Sequence, residues 1–213
     1  MTAIGMRRGA GALFSAGIIL ACSVASFAQA GALAPGRDAW NEASDIRFDP
    51  TTRETRLTSR VTPGLCFSVS LPQEWRMTAE DGDLHLTAAG LPARLEISLR
   101  SAHDLQDLPQ ADLAHRDAAF LQRDYEGLLG RPAQSVSLTS PAPGATRWSA
   151  TWVDASLPSP SRAMTVDALI VPLSNEWVLE LSLHDVQEGE VHDALSRRIL
   201  TGLRVNNGAA CRG

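Results

Sequence analysis

The chain has 213 residues, of which 44% are hydrophobic, 20% charged and 5% aromatic, which excludes a disordered polymer, a collagen and a multi-span membrane protein. All nineteen basic residues are arginine, so no mechanism that needs a lysine amine, whether P-loop or Schiff base, is open to it. The net charge of −5 argues against nucleic acid as a partner, because phosphate backbones select basic surfaces.

Residues 1–30 contain no acidic residue. Arg7 and Arg8 precede an apolar stretch from Gly9 to Val24, and Ala28-Gln29-Ala30 puts small residues at both positions a signal peptidase must admit. The expectation is a signal peptide over 1–30, cut after Ala30, and a periplasmic or secreted product. Two alternatives stay open. Ile19-Leu20-Ala21-Cys22 resembles a lipoprotein box that would lipidate Cys22, and an uncleaved leader is long enough to act as an anchor. Membrane contact is expected only in those two cases.

Without the leader the chain keeps seventeen arginines against twenty-four acidic residues, a net charge of −7. Of the three cysteines, Cys22 is then removed or lipidated, which leaves Cys66 and Cys211. Two thiols in an oxidising compartment pair, so a Cys66–Cys211 disulfide is expected; a reactive or metal-binding thiol is the alternative.

Residues 31–62 read as a flexible tether. Charges of both signs run from Arg37 to Arg60, and the apolar residues are few: Trp40, Ile46, Phe48 and Leu57. Such a stretch buries little surface to offset its ordering entropy. Arg53, Arg56 and Arg60 fall at helical spacing, and with Glu54 interleaved they read as a solvated face rather than a contact for anionic lipid.

A single α+β domain is expected over 63–206, with a tail, 207–213, that carries Cys211. Leu65, Phe67, Val69 and Leu71 alternate with polar residues as in a half-buried strand. Leu71-Pro72-Gln73-Glu74-Trp75 turns the chain, and Asp81-Gly82-Asp83 is a hairpin turn before Leu84 and Leu86. Leu95, Ile97 and Leu99 form the dry face of the next strand. A helix is expected over 109–129, capped by Asp107, ended by Gly130 and Pro132, with Leu113, Phe120, Leu121 and Leu128 inward. Strands follow at 136–139, 146–153, 164–171 and 177–183, and a helix over 188–201 with Val191, Leu195 and Ile199 inward, closed by Gly202. This order implies an antiparallel sheet meander with a long central helix and a C-terminal helix packed on it.

The run Cys66-Phe67-Ser68-Val69-Ser70-Leu71-Pro72-Gln73-Glu74-Trp75, followed by the long helix, a meander with Trp152 and a final helix entering Gly202-Leu203-Arg204-Val205, resembles the PsbP-like and DcrB-like α/β/α sandwiches over residues 63–206. The resemblance implies a binding or assembly module of the envelope or thylakoid lumen, with no shared catalytic set to carry over.

The residues that could carry chemistry have structural readings beside the functional ones. His184, Glu188 and His192 are spaced by four, as metal ligands on one helix face would be; His184 also continues a strand alternation, and the cluster reads equally as a polar helix start. His103, Asp104 and Asp107 read as helix capping, and Asp81 with Asp83 as a turn, since the remaining oxygen ligands of a calcium loop are missing. Trp148 and Trp152 share a strand face, which fits either a ligand-stacking surface or an aromatic core. The expected function is an exported, non-enzymatic accessory or binding protein of the envelope, without a cofactor, serving a small ligand or a protein partner. An enzyme using dispersed acids or serines, and a metal-handling protein using His184, Glu188 and His192, are the alternatives.

Overall fold

The computed structural model describes residues 43–80, 83–110, 112–159, 162–186 and 189–211. Cys22, Ala28, Ala30, Trp40 and Glu188 lie outside them. The described chain is a mixed α+β fold of two antiparallel sheets and two helices. The first sheet holds β1 (Ser44–Asp49), β2 (Glu54–Thr62), β3 (Leu65–Pro72) and, across the chain, β11 (Arg204–Asn207), in the order β1-β2-β3-β11. The second holds β4 (Trp75–Glu80), β5 (Asp83–Ala88), β6 (Arg94–Ser101), β7 (Ser135–Ala142), β8 (Ala145–Val153), β9 (Ala163–Pro172) and β10 (Trp177–His184). Its order, β4-β5-β6-β10-β9-β8-β7, joins two meanders through β6 and β10.

Residues 44–62 are therefore not a tether. They form two strands in antiparallel register, Ile46 opposite Leu57 and Phe48 opposite Thr55. The reason is a period of two within the charged run. Thr55, Leu57, Ser59 and Val61 are buried while Arg56, Thr58 and Arg60 are exposed, so β2 adds a half-apolar row to β3. Two of the buried residues are polar but satisfied, as burial requires. Ser59 Oγ accepts from Ser44 Oγ at 2.8 Å, and Thr55 Oγ1 donates to the Gln73 carbonyl at 2.7 Å and accepts from the Trp75 N–H at 3.0 Å.

That threonine sits where the chain passes from one sheet to the other. Gln73 adopts φ 62°, and the Trp75 indole donates to the Pro72 carbonyl at 2.7 Å. The Leu-Pro-x-x-Trp run is thus a corner between sheets. It is also why one continuous meander does not form: β3 turns to β2 and β11, and β4 opens the second sheet.

The helices are α1 (Leu113–Leu129) and α2 (Gly189–Gly202). The inner face of the four-stranded sheet (Leu57, Phe67, Val69, Leu71) shares a core with Leu84, Leu86, Leu95, Ile97, Leu179 and Leu181 on one face of the second sheet, and with Leu195 and Ile199 of α2. The other face of the second sheet meets α1, which brings Leu113, Ala114, Ala118 and Leu121 onto Trp148, Trp152, Ile170 and Val178. Asp112, not Asp107, caps α1, accepting from the His115 N–H at 3.0 Å. Residues 102–107 instead form a turn held by the Asp104 carboxylate on Ser101 Oγ at 2.8 Å. Gly130 ends the helix at φ 65°, as expected. Gly202 is the last residue of α2, as expected, and it also sets the packing of the helix. A Cβ there would stand 2.4 Å from the Ser70 carbonyl oxygen, so the missing side chain is what lets α2 lie against β3.

Cys66 and Cys211 meet at disulfide distance, with their Cα atoms 5.6 Å apart across a sequence separation of 145. Of the residues expected as a tail, Asn207 ends β11 and Gly208–Cys211 form a 3-10 turn. Among the described residues no helix is long and apolar enough to cross a membrane.

Candidate functional site: a charged groove beside α1

The site follows from the strand period. On β6 and β10 the leucines and Ile97 enter the core between sheets, so Glu96, Ser98, Arg100, Glu180, Ser182 and His184 must emerge on the opposite face. The apolar contacts of α1 are with β8, β9 and the start of β10. The polar stripe is left as the floor of a groove of about 470 Å³, walled by Phe120, Asp124 and Tyr125 of α1.

At its inner end lies a charge cluster. Arg100 Nη2 donates to Glu180 Oε1 at 2.6 Å, and Arg100 Nε donates to the same oxygen at 2.9 Å and to Asp117 Oδ1 at 2.8 Å. Ser98 Oγ adds a bond to Glu180 Oε2 at 3.2 Å, and the Phe120 ring centroid is 3.9 Å from the guanidinium carbon. Asp117 is fully buried. Its burial, then the repulsion of Glu180, raises its carboxyl to about 8 against the pull of Arg100. Burial works against the charge of Arg100, but Glu180 and Asp117 more than offset it and hold the guanidinium above its ordinary value.

Farther along the same face of the sheet, two histidines flank one carboxylate. His184 Nε2 is 3.5 Å and His85 Nδ1 4.0 Å from Glu96 Oε2. The close approach of His184, opposed by partial burial and helped by His85 and Arg94, keeps Glu96 below the usual glutamate value. Tyr125 packs its ring 5.9 Å from Trp148 and 5.7 Å from Trp152, and burial first, then Glu96 and Glu180, raises its phenol.

Compared with known protein families, curated proteins and solved structures, the chain matches none. The site therefore has to be read from its own chemistry.

His184 and His192 do not converge. His184 faces Glu96 on the groove side of the seven-stranded sheet, whereas His192 lies with Leu181, Leu183 and Arg147 on the opposite face. The sheet stands between them because His184 is the last residue of β10 and not part of α2. Among the described residues no group of three histidines, cysteines or acids is set to hold a metal. Trp148 and Trp152 are each 1% exposed, closed over by α1, so they are an aromatic core and not a ligand-stacking surface. Leu128, expected inward, is 78% exposed at the groove wall.

No motif in the sequence singles out Arg100, Asp117, Glu180 and Glu96. One signal was present for Asp117: it falls four residues after Leu113 and four before Leu121, in the middle of the apolar face. A carboxylate there needs a cationic partner. Which arginine supplies it depends on the pairing of β6 with β10, and no local pattern states that.

Proposed function

We propose that the protein is an exported, non-enzymatic accessory or binding protein of the cell envelope, and that the α1 groove seats a small polar ligand carrying positive charge. The observation that carries this reading is the charge of the groove lining. Asp83, Glu96, Asp124 and Glu180 line it against a single guanidinium, Arg100, which is committed to Glu180 and Asp117. Rotamers locked by packing and ion pairs give a pre-organised floor, the condition under which little affinity is lost to ordering. Export rests on the leader of residues 1–30 and on a Cys66–Cys211 bond formed in an oxidising compartment. A PsbP-like sandwich, with the accessory role that goes with it, belongs to the same proposal.

One observation favours the enzymatic alternative, namely a carboxyl that keeps its proton to about pH 8. Asp117, however, is completely buried behind Arg100 and is not part of the groove wall, so a substrate in the groove meets the guanidinium and Glu180 first.

The test has two parts. Intact-mass measurement of protein recovered from the envelope fraction should give a chain starting at Gly31; a mass that includes earlier residues overturns the cleavage. Calorimetric titration with spermidine and choline, with acetate as the anionic control, should show uptake of a cation that Glu96→Gln/Asp124→Asn abolishes. Uptake of neither cation, or uptake unchanged in the variant, removes the groove as the site.

A further inference from the structure

A second groove carries the opposite charge. The outward row of the four-stranded sheet places Arg56 beside Ser70, and Ser68 beside Arg204. Helix α2 runs along this row with Arg197 and Arg198 and closes on it where Gly202 meets the Ser70 backbone. The cavity between them measures about 760 Å³.

Four guanidiniums line it against one carboxylate, Glu54. Glu54 is taken by Arg198 at 2.8 Å, and Arg204 Nη1 donates to the carbonyls of Thr201 and Leu203 at 2.6 and 2.8 Å. The guanidiniums of Arg56 and Arg197 have no hydrogen-bond or ion-pair partner among the described residues. Acidic residues outnumber arginines in this chain, so unpaired guanidiniums gathered in one groove are not a product of composition. Like charges held together repel, and an anion between them relieves that repulsion. The hydroxyls of Ser68 and Ser70 add neutral donors on the groove floor. Two guanidinium forks and two hydroxyls offer more donors than the two oxygens of a carboxylate can accept, and match the three or more oxygens of a phosphate.

We propose that this groove, between α2 and the β2–β3–β11 face, binds a phosphate-bearing anion, with Arg56 and Arg197 as its principal ligands and Ser68 and Ser70 as hydrogen-bond donors. The site is separate from the α1 groove and does not depend on the ligand read for it. A free phosphate monoester and an anionic lipid headgroup present the same chemistry.

Inorganic phosphate is titrated into the mature protein by calorimetry. Sedimentation with phosphatidylglycerol-containing vesicles, against phosphatidylcholine alone, forms the second arm. Arg56→Gln/Arg197→Gln removes two exposed, unpaired side chains and should leave the melting temperature in place while weakening binding by about tenfold or more. Arg123→Gln/Arg162→Gln changes net charge equally away from the groove and should weaken it by less than about twofold. Phosphate uptake without vesicle binding identifies a soluble ligand, and selective vesicle binding identifies a headgroup; either supports the site. Binding in neither arm, or equal losses in both double variants, overturns it.

Discussion

Arg100 on β6 and Asp117 on α1 join at 2.8 Å, Nε to Oδ1, and this bond fixes the helix over the seven-stranded sheet at one register. Its strength depends on the third member, since Glu180 draws on the same guanidinium from β10 at 2.6 Å. Two carboxylates share one cation in a site where Asp117 sees no water. A proton retained on Asp117 lets the cluster reach neutrality.

Removing the cation should therefore be costly. Arg100→Met leaves two buried acids facing each other, and loss of one partner of a buried charge cluster costs about 3–5 kcal/mol. Urea unfolding at neutral pH should show a lower midpoint, and an extrapolated unfolding free energy reduced by that amount; an unchanged midpoint would mean the cluster does not hold α1.

The raised Asp117 carboxyl sets a pH dependence with a definite sign. The folded protein binds a proton up to about pH 8, while the unfolded chain releases it near pH 4. The native state thus holds more protons between these values, and stability falls as pH rises through that window, by a few kcal/mol from this group. Asp117→Asn keeps the shape without the titration. Melts compared at pH 5 and pH 8.5 should show the wild type losing more stability than the variant, and parallel losses would refute the assignment.

Cys66 and Cys211 stand at disulfide distance, and a bond between them would close a loop across a separation of 145 positions. Chain entropy sets an upper figure of about 4–5 kcal/mol for such a bridge. Reduction, or Cys66→Ser/Cys211→Ser, should lower the urea midpoint, with β11 and the end of α2 losing hydrogen-exchange protection first. Uniform loss of protection would contradict this order.

Two glycines give a paired control on packing. Gly127 lies within α1 with nothing inside 4 Å of an added Cβ, so Gly127→Ala should stabilise by about 0.5–1 kcal/mol. Gly202→Ala drives a methyl group into the Ser70 backbone and should destabilise by about 1–3 kcal/mol. Thermal melts of the two variants are expected to move in opposite directions.

Patterns that repeat within a few residues were legible in the sequence. The alternation of Leu95, Ile97 and Leu99, and of Leu179, Leu181 and Leu183, identified strands and their buried faces, because a side-chain period of two is a local property. Helix α1 was readable for the same reason, as was Gly130 behind it. The strand in residues 54–62 was missed because arginine on alternate positions looks like a charge run until a neighbouring strand covers the residues between. Leu128 was misplaced because an apolar spacing on a helix does not say where its floor stops.

By itself, the sequence determined the two helices and the strands whose leucines alternate with polar residues, and it marked Cys66 and Cys211 as candidates to pair. Only the tertiary structure decided the partners: β2 and β11 on either side of β3, Arg100 between Asp117 and Glu180, His184 and His192 parted by a sheet, and Arg56 brought to Arg197 across one groove. Propensity and periodicity act between near neighbours along the chain, whereas each of these pairings is set by long-range strand register and by the burial of charge.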